Sequence, residues 1–191
     1  MTDTHPRCLL IRHGETEWSR TRRHTGRTDL PLLPEAAHQL DSVRRLLDGR
    51  PLAAVLVSPL TRARQTAEQL GWGDRVVVDE DLLEWDYGEY EGRTTADIRQ
   101  GRPDWNLFDQ GAPGGETLEE VARRADRVIA RVRARAGDVA CVAHAHLLRV
   151  MAARWVGLPA SAGRCLVLGA ASVSELGWER EQPVIVTWNR V

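Results

Sequence analysis

Two histidines, two arginines and a glutamate stand just beyond apolar runs in this chain of 191 residues. Arg12 and His13 follow Leu9-Leu10-Ile11, and Gly14 comes next. Arg62 stands shortly after a run ending at Val57, Glu84 after one ending at Val78, and His144 after one ending at Val142. A neutral imidazole is a competent nucleophile toward phosphorus. Two guanidiniums suit a phosphoryl group carrying roughly −1.5 to −2 charges. A second imidazole, if protonated, stabilises charge on the equatorial oxygens. A carboxylic acid can give its proton to a departing alkoxide and later take one from water. Phosphoryl transfer needs little beyond positioning and electrostatics, and this set supplies both.

Such a set works only if the chain gathers it. Strand-like runs fall at 8–11, 53–57, 75–78, 139–142 and 184–188. Helical periodicity falls between them, at 34–47, 61–70, 116–136 and about 146–155. Pro34 fits the first turn of its helix and Gly49 its stop. The longest helix carries Leu118, Val121, Ala125, Val128, Ile129 and Val132 on one stripe, with arginines and acids expected opposite. Alternating strands and helices predict an α/β fold, a three-layer α/β/α sandwich around a mostly parallel sheet. In open α/β sheets ligands bind beyond the carboxyl ends of the strands, where all five groups would lie. The length suits a single domain over 1–191. Residues 81–115 break the rhythm and read as an excursion over the active edge. Residues 170–177 and 184–188 are expected to form a terminal β-pair.

Composition narrows the function classes. The net charge is −1, which points to neither nucleic acid nor a membrane surface. All 26 basic residues are arginine, which excludes Schiff-base chemistry and a P-loop lysine. The odd cysteine count, Cys8, Cys141 and Cys165, reads as free thiols in a reducing compartment. Cys141, His144 and His146 match no familiar zinc spacing, so neither a metal nor another cofactor is expected. The polar start lacks a signal-peptide core, and no apolar stretch reaches the roughly 18 residues of a span. A cytoplasmic protein is expected.

Arg12-His13-Gly14, within Leu-Ile-Arg-His-Gly-Glu-Thr-Glu-Trp, resembles the signature of the histidine phosphatase superfamily, in its phosphoglycerate mutase-like branch. Residues 25–32, 58–67, 83–92, 113–117 and 142–146 resemble further motifs of that family in the same order. The resemblance implies that His13 is phosphorylated in turnover and that Arg12, Arg62 and His144 bind the phosphoryl group. It makes Glu84 the proton donor, and it places Ser19, Thr25, Gly26 and Ala145 near the phosphate or substrate. Ala145 stands where the family commonly has glycine, and Ser19 where asparagine is frequent.

The expected activity is a phosphomonoester hydrolase of the acid or sugar-phosphate type, acting on a small phosphorylated metabolite. Phosphoglycerate mutase activity is the alternative, and a non-catalytic phospho-ligand binder would have lost His13 or Glu84. The first turn is not G-x-G-x-x-G, which excludes a dinucleotide-binding oxidoreductase. Trp85 and Tyr87, in the excursion, are candidates to line the leaving group, and Arg27 and Arg93 to meet a second anionic group. A phosphoryl dianion beside Glu84 favours its acid form, so an acidic to near-neutral optimum is expected. An apolar surface near 184–188 would permit a homodimer.

Overall fold

A computed structural model describes residues 5–191, so part of the polar start lies outside the described residues. The elements run β1 (Cys8–Arg12), α1 (Glu17–Arg20), α2 (Ala36–Leu47), β2 (Ala54–Val57), α3 (Thr61–Gln69) and β3 (Val76–Val78). They continue with α4 (Thr95–Gly101), α5 (Leu107–Gln110), α6 (Leu118–Arg133), β4 (Val139–Ala143), α7 (Ala145–Trp155), β5 (Val173–Glu179) and β6 (Gln182–Arg190).

The six strands join one sheet in the order β3-β2-β4-β1-β5-β6. The first four are mutually parallel, so their C-terminal ends share one edge. β5 runs antiparallel to β1, and β6 antiparallel to β5. The expected terminal β-pair is therefore present and extends the sheet on the β1 side.

Strand alternation splits the core in two. Leu9 and Ile11 of β1, with Ala140 and Val142 of β4, pack against Leu40 and Val43 of α2 and Ala63 and Ala67 of α3. Cys8 and Leu10, with Val139 and Cys141, pack on the opposite face with Val121, Val128 and Val132 of α6 and Leu148 and Met151 of α7. That gives the three layers expected. The thiols of Cys8 and Cys141 lie 3.7 Å apart in this core, and Cys165 is exposed. Among the described residues no helix is long and apolar enough to cross a membrane.

The excursion is more structured than its composition predicts. It holds α4, α5 and two short 3-10 turns, Glu80–Leu82 and Gly88–Tyr90. Thr94 caps α4 in a reciprocal box with Asp97, and Asn106 caps α5 through Phe108 N. Trp85, Tyr90 and Trp105 are buried and anchor the segment to the body. Periodicity missed α1, α4 and α5 because four to seven residues are too few to display a stripe. One expectation for α6 is corrected. Arg124 lies on its buried face beside Val121 and Ala125, because its five N–H groups are satisfied there, three by the excursion carbonyls of Asp81, Leu83 and Glu84 and two by the Glu116 carboxylate.

Candidate active site

The parallel order sets the site. β1 and β2 flank β4, so Arg12 and His13, the start of α3, and His144 emerge side by side. A cavity of about 70 Å³ opens there. Arg12, His13, Ser19, Thr25, Glu84, Tyr87 and Ala145 of the expected residues line it. Arg23, His24 and His146 line it as well.

His13 is almost fully buried, and its Nδ1 lies 2.7 Å from the Gly14 carbonyl oxygen. A carbonyl only accepts, so Nδ1 carries the hydrogen and Nε2 keeps the lone pair. Burial, then the charges of Arg62 and Arg12, push the His13 pKa well below the ordinary imidazole value. The ring is thus neutral at neutral pH, with one defined basic nitrogen. Gly14 is not at positive φ. Its missing side chain serves packing instead, since a Cβ there would lie 3.0 Å from that of Ala36.

Arg62 is fully buried in the first turn of α3. Its Nη1 donates to Thr28 O at 2.9 Å, and its Nη2 to Thr25 O at 3.1 Å and Gly26 O at 2.9 Å. Its Nε donates to His144 Nδ1 at 3.2 Å. His144 must then carry its hydrogen on Nε2, which meets Ser58 Oγ at 2.8 Å. Burial, then Arg62 and His13, lower the His144 pKa strongly. His144 is therefore a neutral ring with both nitrogens engaged, and in this geometry it braces Arg62 behind the cavity. The protonated form considered from sequence is disfavoured by two guanidiniums nearby.

Arg12 lines the cavity with Nη1 on Leu168 O at 2.5 Å. Its buried Nε has no partner among the described residues. A buried, unsatisfied guanidinium donor at a cavity wall is suited to an anion. Ala145 is the first residue of α7, so its N–H has no intrahelical acceptor and sits at the positive end of the helix dipole.

Glu84 sits opposite, nearly buried. Its carboxylate accepts from Trp85 N at 2.9 Å, His146 N at 3.1 Å and Leu147 N at 3.0 Å. Its backbone is held by Arg124, which donates to Asp81 O, Leu83 O and Glu84 O. The same guanidinium grips Glu116 at 2.8 Å through both Nε and Nη2. The motif at 113–117 thus serves the acid loop, with Asp86 N on Glu116 Oε2 at 3.0 Å. Tyr87 OH meets His146 Nδ1 at 2.6 Å. Burial raises the phenol pKa and lowers that of His146, so both partners are neutral.

Several expected contacts change character. Trp85 is fully buried, donates Nε1 to Glu116 O at 2.8 Å, and does not line the cavity. Its ring is core because the excursion needs an anchor. Gly26 also lies off the cavity, and a Cβ there would sit 2.6 Å from Trp85 O, so close packing of the 25–28 segment requires glycine. Ser19 lines the cavity, but its hydroxyl accepts from Thr16 N and donates to Thr16 O in the cap of α1. Arg27 pairs with Glu116 and Asp86, Arg93 donates to Asp97 O, and neither lines the cavity. Sequence reasoning missed Arg124, Glu91 and His146 as parts of the site. Arg124 stands at a stripe position of α6, and Glu91 and His146 fall inside the family-like stretches 83–92 and 142–146.

An α/β sandwich with two imidazoles, two guanidiniums and a carboxylate at one sheet edge defines an enzyme class that handles phosphate esters through histidine. Residues 8–191 match the Histidine phosphatase superfamily (branch 1), and the chain belongs to that family. It is 38% identical over 185 residues to the sedoheptulose 1,7-bisphosphatase of Saccharomyces cerevisiae, covering 80% of this chain and 68% of that one. It is 39% identical over 177 residues to an acid phosphatase of Mycobacterium tuberculosis, covering 91% and 87%. The solved structure of a Mycobacterium tuberculosis open reading frame product is similar, with TM-score 0.91, 35% identity and coverage of 97% and 98%. A mycobacterial glucosyl-3-phosphoglycerate phosphatase structure follows at TM-score 0.82, 27% identity and coverage of 97% and 99%. The chain is a histidine-type phosphatase by these relationships.

Proposed function

We propose that the protein hydrolyses small phosphate monoesters, of the acid or sugar-phosphate type, through a phosphohistidine on His13. The observation that carries this reading is the His13 Nδ1–H bond to Gly14 O, which leaves Nε2 with the lone pair a nucleophile needs, on a ring that shares one cavity with Glu84. In the first step Nε2 attacks phosphorus and the bond to the leaving oxygen breaks. Glu84, as the acid, gives that oxygen its proton. In the second step water attacks phosphorus, the P–N bond breaks, and the Glu84 carboxylate takes a proton from the water. Inorganic phosphate leaves and His13 returns to its starting form. Arg12, the remaining donor of Arg62 and the Ala145 N–H supply charge and hydrogen bonds to the phosphoryl oxygens. The names of the relatives, an acid phosphatase and a sugar bisphosphatase, support the same substrate range.

The test is trapping. Labelled p-nitrophenyl phosphate, quenched in alkali, should leave label on the protein that acid releases. His13→Ala should trap none and turn over none, and retained turnover would overturn the mechanism. Mutase activity on 3-phosphoglycerate exceeding its hydrolysis would overturn the phosphatase reading.

A further inference from the structure

The cavity does not end at His24 and His146. Both also line a second hollow of about 150 Å³. Arg99 of α4 and Arg149 of α7 stand in its wall, with Thr95, Asn106, Trp105 and Phe108.

Both guanidiniums are held in place by neutral groups. Arg149 donates Nε to Gly163 O at 3.0 Å and Nη2 to Arg164 O at 3.2 Å, and its Cζ lies 4.7 Å from the centre of the Phe108 ring. Arg99 donates Nε to Trp105 O at 3.0 Å. Arg154 and Arg164, by contrast, pair with Asp126 and Asp109. Among the described residues no carboxylate is in salt-bridge contact with Arg99 or Arg149. Two like charges in one small hollow repel each other, and an anion between them removes that cost. The passage itself is uncharged, since burial lowers the His24 pKa to about 4 and that of His146 well below the ordinary value.

We infer that this hollow is a subsite for a second anionic group, phosphate or carboxylate, on the substrate whose first phosphoryl group meets His13. The inference rests on the phosphatase reading and narrows its substrate class to phosphate esters that carry a second anionic group. Such a substrate lies past His24 and His146, beside Thr95 Oγ1, which is 3.3 Å from His24 Nε2, and beside Asn106, whose Oδ1 caps α5 and whose Nδ2 is left to meet a hydroxyl. The excursion then selects the substrate, because it supplies Arg99, Thr95, Asn106 and the aromatic wall.

The experiment compares kcat/KM for matched pairs. Fructose 1,6-bisphosphate against its two monophosphates tests a second phosphate. 6-Phosphogluconate against glucose 6-phosphate tests a carboxylate. At least one pair should favour the ester with the second anionic group tenfold or more. Arg99→Gln and Arg149→Gln should each cut that ratio about tenfold, whereas Arg149→Lys, which keeps the charge, should cut it less. Thermal melting reports whether the Arg149 variants remain folded, and Arg99→Gln, on an exposed side chain, stands independently of them. A ratio near one for both pairs, or one insensitive to Arg99→Gln and to folded Arg149→Gln, would overturn the subsite while p-nitrophenyl phosphate is still hydrolysed. No turnover of any ester, p-nitrophenyl phosphate included, would overturn the phosphatase reading beneath it.

Discussion

Arg62 and Glu91 grip the same segment, residues 25–28, through opposite backbone groups. The guanidinium takes the carbonyls of Thr25, Gly26 and Thr28. Glu91 Oε1 takes the N–H of Gly26 at 2.7 Å and of Thr28 at 3.1 Å. Two side chains 29 positions apart in sequence therefore fix the loop that carries the cavity-lining Thr25.

Glu91→Ala removes the acceptor of both N–H groups. Hydrogen bonds to a charged group contribute about 1.5–3 kcal/mol each. A fall in kcat/KM of roughly ten- to a hundredfold is expected. Steady-state kinetics with circular dichroism checks it, and an unaltered kcat/KM would refute the clamp.

Ala145→Pro deletes a single N–H. Proline is tolerated at the first position of a helix, and His144 before it is already extended at φ −127°, ψ 165°. The helix should persist while inhibition by inorganic phosphate weakens about tenfold, by roughly 1.4 kcal/mol for one lost hydrogen bond. Unchanged phosphate inhibition in a folded variant would remove this amide from the site.

Arg124→Met leaves the Glu116 carboxylate without its main partner in a largely buried pair. Breaking such a pair costs about 3–5 kcal/mol. Urea unfolding should show that loss. Activity should fall too, because the backbone of Glu84 loses its donor.

The rate profile follows from His13. Its lowered pKa places the acid limb of kcat/KM below the ordinary histidine value of 6.5. Arg12→Met removes a positive neighbour, so protonation becomes easier and the limb of the residual activity moves to higher pH. A limb that stays in place would separate Arg12 from the electrostatics of His13.

Stability should also depend on pH through His24. Its pKa falls from 6.5 unfolded to about 4 folded, chiefly by burial. Between those values the unfolded chain binds a proton that the folded chain does not. Stability is therefore full above 6.5 and declines as pH drops toward 4. The slope from one such group approaches about 1.4 kcal/mol per pH unit. His24→Gln should flatten the denaturation midpoint against pH by that one proton, and an identical slope would contradict it.

The sequence by itself determined the sheet's main strands, the long amphipathic helices and the residue types at the strand ends. Those signals are local: an apolar run is read from its own residues, and Arg12-His13-Gly14 is contiguous. It could not decide which strands are neighbours, because β1 pairs with β4 across more than a hundred residues. Only the tertiary structure decided that Trp85 is an anchor while His146 lines the cavity, since both are aromatic rings near Glu84 and burial alone separates them. The roles of Arg124 and Glu91 were also decided there. Each acts on backbone groups brought near by folding, and backbone groups are the same in every residue, so the sequence does not say which ones they meet. The proton on His13 was likewise settled by one carbonyl 2.7 Å away, a matter of backbone geometry.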